Sequence, residues 1–158
     1  MPKSMAKKKE SNFKKAVDAT PDVAGKSLPG LSALGTHSQK VIVPKEKVVN
    51  GSLEIDEATK KLYPNYNRWD YVLSVNDKCY FVEVHSANTG EVSTVLRKLV
   101  WLKTWLQTRA PLIDALKASH VTPYYWVQSA GCDIPKHTRQ YKLAAKEGLL
   151  PVGHLRIK

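Results

Sequence analysis

The stretch Arg68–Ala87, RWDYVLSVNDKCYFVEVHSA, constrains this chain more than any other part of it. Two runs of aromatic and β-branched residues flank Asn76-Asp77, the pattern of two strands joined by a tight turn. A two-residue turn sets Val75 opposite Lys78, and stepping outward sets Asp70 opposite Glu83 and Arg68 opposite His85. A four-residue loop keeps this pairing and a three-residue loop breaks it. Cross-strand neighbours stand roughly 5 Å apart at Cβ. Asp70, Glu83 and His85 therefore converge on one face, while Val82 and Val84 point to the other. Two carboxylates that close repel each other, and burial raises the pKa of at least one. A divalent cation with a preference for hard oxygen ligands, Mg²⁺ or Mn²⁺, relieves the conflict. The same residues admit a purely structural reading, in which Asp70 and Glu83 pair with Arg68, Lys78 or Arg97 and His85 is a satisfied core histidine.

Helical and extended patterns alternate around the hairpin. KVIVP reads as a short strand, and SLEIDEATKKLYPNY as a helix capped at Ser52 or Asp56 and ended by Pro64. In GEVSTVLRKLVWLKTWLQT the apolar positions Val92, Val95, Leu96, Leu99, Leu102 and Leu106 follow the i, i+3, i+4, i+7 rhythm of a helix. PLIDALKAS reads as a shorter helix, TPYYWVQSAG as a strand, PKHTRQYKLAAKEG as a helix ending at Gly148, and GHLRIK as a last strand. This order predicts a single α/β (α+β) domain over residues 41–158, with a central mixed β-sheet flanked by helices. Residues 1–40 lack periodicity and are rich in Lys, Ser, Gly, Pro and Ala, so they read as a flexible basic arm that can order on a partner.

The net charge of +11 favours a polyanionic partner, either nucleic acid or an anionic surface. No apolar run approaches the roughly 18 residues of a membrane span, and the lysine-rich start is unlike an export signal. A soluble, cytoplasmic protein is the expectation. Cys79 and Cys132 form no CxxC pair, so free thiols are expected and a zinc site is not.

Asp70 followed by Glu83-Val84-His85, in the order helix, β-hairpin, helix, strand, helix, resembles the PD-(D/E)XK nuclease superfamily, the restriction-endonuclease-like fold. Asp70 matches the family's Asp, and Glu83-x-His85 matches its Glu-x-Lys with histidine in the lysine position. Either Glu54 or Glu57 would match an additional glutamate that some members carry. The resemblance covers about residues 50 to 145 and implies metal-dependent hydrolysis of DNA or RNA. It further implies that Asp70, Glu83 and the Val84 carbonyl bind Mg²⁺ or Mn²⁺. The departure at His85 leaves four readings open. The imidazole is a base, it is a metal ligand, catalysis has been lost and only binding remains, or Arg97 or Lys98 supplies the missing cation from the next helix. A non-catalytic nucleic-acid-binding or assembly module on the same fold is the alternative function.

Other residues are candidates for contacts. Arg97, Trp101 and Trp105 are spaced by four and line one helical stripe, suited to base stacking or to a homodimer or protein contact, unless the helix is buried on both sides. Arg68, Arg97, Lys98, Lys136, Arg139 and Lys142 are candidate phosphate contacts. Gln128, near the end of its strand, is a candidate for the site's lining or a satisfied buried amide.

Overall fold

In the computed structural model, which describes residues 9–158, the hairpin closes with the two-residue turn. Asn76 and Asp77 take positive φ angles of 49° and 62°, the backbone of a type I′ turn that matches the twist of paired strands. Strand β3 (Tyr71–Val75) pairs antiparallel with β4 (Lys78–Asn88), from Val75 opposite Lys78 to Tyr71 opposite Val82. The register is the one that sets Asp70 against Glu83. β3 stops at Tyr71, so Arg68 leaves the sheet before it can meet His85.

In chain order the elements are α1 (Asn12–Asp18), β1 (Val41–Ile42), β2 (Val49–Glu54), α2 (Ile55–Thr59), β3, β4, α3 (Val92–Thr108), α4 (Pro111–Asp114), β5 (Tyr124–Asp133), α5 (Arg139–Lys146) and β6 (Leu155–Arg156). Two 3₁₀ segments, Ser32–Lys40 and Thr89–Glu91, join them. The main sheet has the order β2-β3-β4-β5, antiparallel except for the parallel β4–β5 pair, which α3 connects. Strands β1 and β6 form a separate two-stranded parallel sheet. A mixed sheet flanked by helices is the expected class.

Both faces of the main sheet are covered, which explains why β3 and most of β4 are buried. One core gathers Phe13, Val72, Phe81, Val95, Leu102 and Trp126, so α1 and α3 cover that face. The other gathers Leu34, Tyr71, Leu73, Val82, Val127 and Leu155 under the 3₁₀ segment and the small sheet. Glu83 alternates with Val82 and Val84 and therefore faces α3.

Two expectations fail here. The arm does not extend to residue 40. Its first eight residues lie outside the described ones, but Ser11 accepts a hydrogen bond from Lys14 N–H as the N-cap of α1. Phe13, Val17 and Val23 are fully buried, each apolar side chain contributing about 1.5–3 kcal/mol. The lysines of α1 sit on its solvent face, which is what makes the stretch look featureless. The helix read from Ser52 also starts later and is shorter, because Ser52–Glu54 belong to strand β2. Ser52 exchanges backbone hydrogen bonds with Leu28, and its hydroxyl accepts from Ala33 N–H instead of capping a helix. Only Ile55–Thr59 is helical.

Candidate active site

Three elements bring charge to one point beneath the sheet. Asp70 stands just ahead of β3, Glu83 lies in the middle of β4, and Lys98 reaches down from the second turn of α3. Glu83 is fully buried and its carboxylate is held on both oxygens. Oε1 accepts from Asp70 N–H at 3.0 Å, and Oε2 accepts from Lys98 Nζ. Asp70 reciprocates, its Oδ2 accepting from Val84 N–H at 3.0 Å while its Oδ1 stands 3.8 Å from Lys98 Nζ. Strand and carboxylates thus lock each other, since each acid caps a backbone amide of the other's segment. Among the described residues, no buried side-chain nitrogen or oxygen is left without a hydrogen bond.

The electrostatics of the cluster are unbalanced. Burial, and then the Glu83 charge, push the Asp70 carboxyl up to about 7, against the opposing pull of Lys98 and the Val84 amide. Burial pulls Lys98 down, but Glu83 and Asp70 outweigh it and hold the ammonium above its ordinary range. One lysine therefore does not satisfy two carboxylates, and the site is short of positive charge. That shortage and the hard-oxygen donors fit a small divalent cation. Among the described residues no group of three or more His, Cys, Asp or Glu side chains is arranged to hold a metal ion. An ion held by Asp70 and Glu83 would therefore complete its shell with water, as Mg²⁺ commonly does.

His85 is next along the same face of β4. Its Nε2 lies 2.6 Å from Glu91 Oε1 and its Nδ1 3.4 Å from Glu83 Oε2. The hydrogen bond with Glu83 raises its pKa, burial lowers it, and the bond with Glu91 raises it again, leaving it above the usual histidine value. Trp126 on β5 sits beside Glu83 in the parallel register, and its Nε1 donates to the His85 carbonyl at 3.2 Å. Gln128 sits beside His85 in that register. Its own backbone is tied to Val152 and to Lys40.

The remaining candidates separate from this cluster. Arg68 does not reach it: Nε donates to Asp56 Oδ1 at 2.7 Å and Nη1 to the Tyr63 carbonyl at 2.6 Å, a half-buried structural ion pair and not a free phosphate contact. Glu54 pairs with Tyr71 on the opposite face of the sheet from Glu83, so it is no additional ligand there. Glu54 and Glu57 line a separate groove of about 960 Å³ with Lys26, Lys60 and Leu62, and Glu57 pairs with Lys60 at 2.7 Å. The tryptophan stripe is not an outer surface either. Trp105 is buried, its Nε1 donating to Asp22 Oδ2 at 3.0 Å, and Trp101 stacks on it at 5.8 Å with Tyr63 against its edge. Trp105 therefore offers no surface for a homodimer or base-stacking contact, because Asp22 of the N-terminal segment covers it, while Trp101 is half-buried beside Tyr63. Arg97, Lys136, Arg139 and Lys142 remain exposed. Both cysteines are free thiols, Cys79 buried and Cys132 exposed.

Glu91 is the site residue that the sequence reading missed. It stands seven positions before Lys98 and so shares its helical face, a signal available in the 3.6-residue period. Comparisons of this chain with protein-family models, with characterised proteins and with solved structures give no match. No helix among the described residues is long and apolar enough to cross a membrane.

Proposed function

We propose that this protein is a metal-dependent nuclease of the PD-(D/E)XK kind, acting on DNA or RNA, whose motif lysine has moved from strand to helix. The observation that carries the reading is the convergence of Asp70, buried Glu83 and Lys98 from three elements upon one point. The sheet supports it: β2, β3 and β4 are antiparallel, with the short α2 between the first two, and after α3 and α4 the strand β5 runs parallel to β4. Asp70 and Glu83 would hold Mg²⁺ or Mn²⁺, with the Val84 carbonyl as a third ligand by the family resemblance. A divalent ion there would supply Lewis-acid activation of water and phosphate. Lys98 offsets the negative charge of the carboxylates and is placed to offset that of an incoming phosphate. The exposed Arg97, Lys136, Arg139 and Lys142 would neutralise the nucleic-acid backbone, in keeping with the net charge of +11. A cytoplasmic location goes with this reading.

One observation favours a second reading, a non-catalytic nucleic-acid-binding module on the same fold. Lys98 already pairs with Oε2 of buried Glu83, so that ion pair needs no metal to offset its charge. Cleavage of plasmid, single-stranded DNA and RNA with Mg²⁺ or Mn²⁺, comparing wild type with Glu83→Gln, separates the two. Metal-dependent cleavage lost in the variant supports the nuclease. A folded wild type that binds nucleic acid and cleaves none of the three substrates overturns it.

A further inference from the structure

We propose that Tyr66 is a base-stacking residue beside the Asp70–Glu83–Lys98 site, and that the substrate presents unpaired nucleotides there, as a single strand or a flap of DNA or RNA does. This rests on the nuclease reading for the nature of the ligand, though not for the geometry of the ring. Tyr66 is 60% exposed and is the one exposed aromatic side chain among the described residues. Its loop holds it in place. Tyr66 N–H donates to the Tyr63 carbonyl at 3.3 Å, and Arg68 N–H donates to the Tyr66 carbonyl at 3.0 Å. Arg68 Nη1 closes the loop on the same Tyr63 carbonyl. The Tyr66 ring meets Tyr63 edge to face, with centroids 5.7 Å apart and planes at 86°, a favourable aromatic geometry. Tyr63 is fixed in turn by its hydroxyl on Asp22 and by an edge contact with Trp101. The exposed ring is thus the outer end of a row anchored in the core, and a single edge-to-face contact uses at most one of its faces. A ring held this way loses little side-chain freedom when a base stacks on it.

The row is tied to the site from two directions. Along the chain, Tyr66 stands four residues before Asp70, so their Cα atoms are at most about 14 Å apart. Along α3, Trp101 stands three residues after Lys98, the spacing of neighbours on one helical face. Lys61, on the same loop and exposed, offers a cation to the backbone of a strand lying across the ring. Base faces inside a duplex are covered by the neighbouring pairs, so an aromatic side chain stacks only on an unpaired or extruded base. Phosphate contacts do not distinguish the two forms, and Tyr66 does.

Fluorescence-anisotropy titrations of the full chain test this in the presence of chelator and at fixed salt, with labelled oligothymidylate, oligouridylate and a DNA duplex of the same length. Tyr66→Ala should weaken single-strand binding by about 5-fold to 100-fold, the loss of one base stack, and leave duplex binding unchanged. Tyr66→Phe keeps the ring and should bind as the wild type does. Tyr66→Leu keeps apolar bulk without an aromatic face and should fail as alanine does. A loss confined to one of the two single strands supports the proposal and names the sugar that the site takes. Equal single-strand binding by wild type and Tyr66→Ala, equal losses for single strand and duplex, or full binding by Tyr66→Leu overturns it. A wild type that binds neither single strand overturns it as well. If the wild type binds as expected but cleaves nothing with Mg²⁺ or Mn²⁺, the nuclease reading fails while the stacking role of Tyr66 stands.

Discussion

Replacing Asp70 by Asn should make the protein more stable at neutral pH, although the residue lies at the centre of the proposed site. The native carboxyl holds its proton up to about 7, far above the ordinary 3.8. Between those two values the native state binds more protons than the unfolded chain, so stability falls as pH rises through that window. Below about 4 both states are protonated and there is no penalty; above about 7 the penalty is complete. An interval of about three pH units at about 1.4 kcal/mol each sets a ceiling near 4 kcal/mol. One-fifth of the side chain reaches solvent, so screening brings the expected gain to about 2 kcal/mol at pH 8. The amide of asparagine still accepts from Val84 N–H, which preserves the packing. Urea unfolding of both proteins at pH 4, 6 and 8 in the presence of chelator measures the effect. The difference should be near zero at pH 4 and grow with pH. A variant less stable at pH 8, or a difference independent of pH, would refute the claim that Asp70 is held protonated by burial and by Glu83.

Other consequences are equally accessible. Lys98→Met leaves fully buried Glu83 without its lysine partner and should cost about 3–5 kcal/mol in urea unfolding; a loss below 1 kcal/mol would refute the role of this ion pair in holding the cluster. Asp22→Ala removes the acceptor shared by Tyr63 OH, Trp105 Nε1 and Arg109. It should cost about 2 kcal/mol and raise amide exchange over residues 12–23 relative to the hairpin. In Gly51→Ala the new methyl would meet the Leu28 carbonyl at 3.1 Å and the Phe13 ring at 3.2 Å, and about 1–3 kcal/mol of destabilisation by thermal or urea unfolding is expected.

The hairpin was legible because its turn chemistry and side-chain alternation are local, and together they fix which residues face each other. The carboxylate pair followed from that register. The partner of Glu83 was harder to read, because several basic residues lie within reach of a hairpin and only the path of α3 selects Lys98. A signal existed: Lys98 lies three residues after Val95 and four before Leu102, both fully buried, so it borders the helix's inner arc. The tryptophan stripe misled for the converse reason. A helix covered on both sides carries apolar residues all round, and the element covering Trp105 is the lysine-studded α1 region, whose buried Phe13, Val17 and Val23 are outnumbered by charged neighbours. The strand at Val49–Glu54 was hidden because its Ser52 and the acidic residues behind it imitate a helix start, while its partners Leu28 and β3 lie far off in sequence.

The central claim, that Lys98 supplies the cation of a nuclease site, is tested most directly by metal-dependent cleavage with Lys98→Gln beside the wild type, each checked for folding. The account predicts Mn²⁺- or Mg²⁺-dependent cleavage by the wild type and a loss of roughly 100-fold or more in the variant, the scale of removing one charge-stabilising group from an active site. Cleavage by Lys98→Gln at the wild-type rate would contradict it.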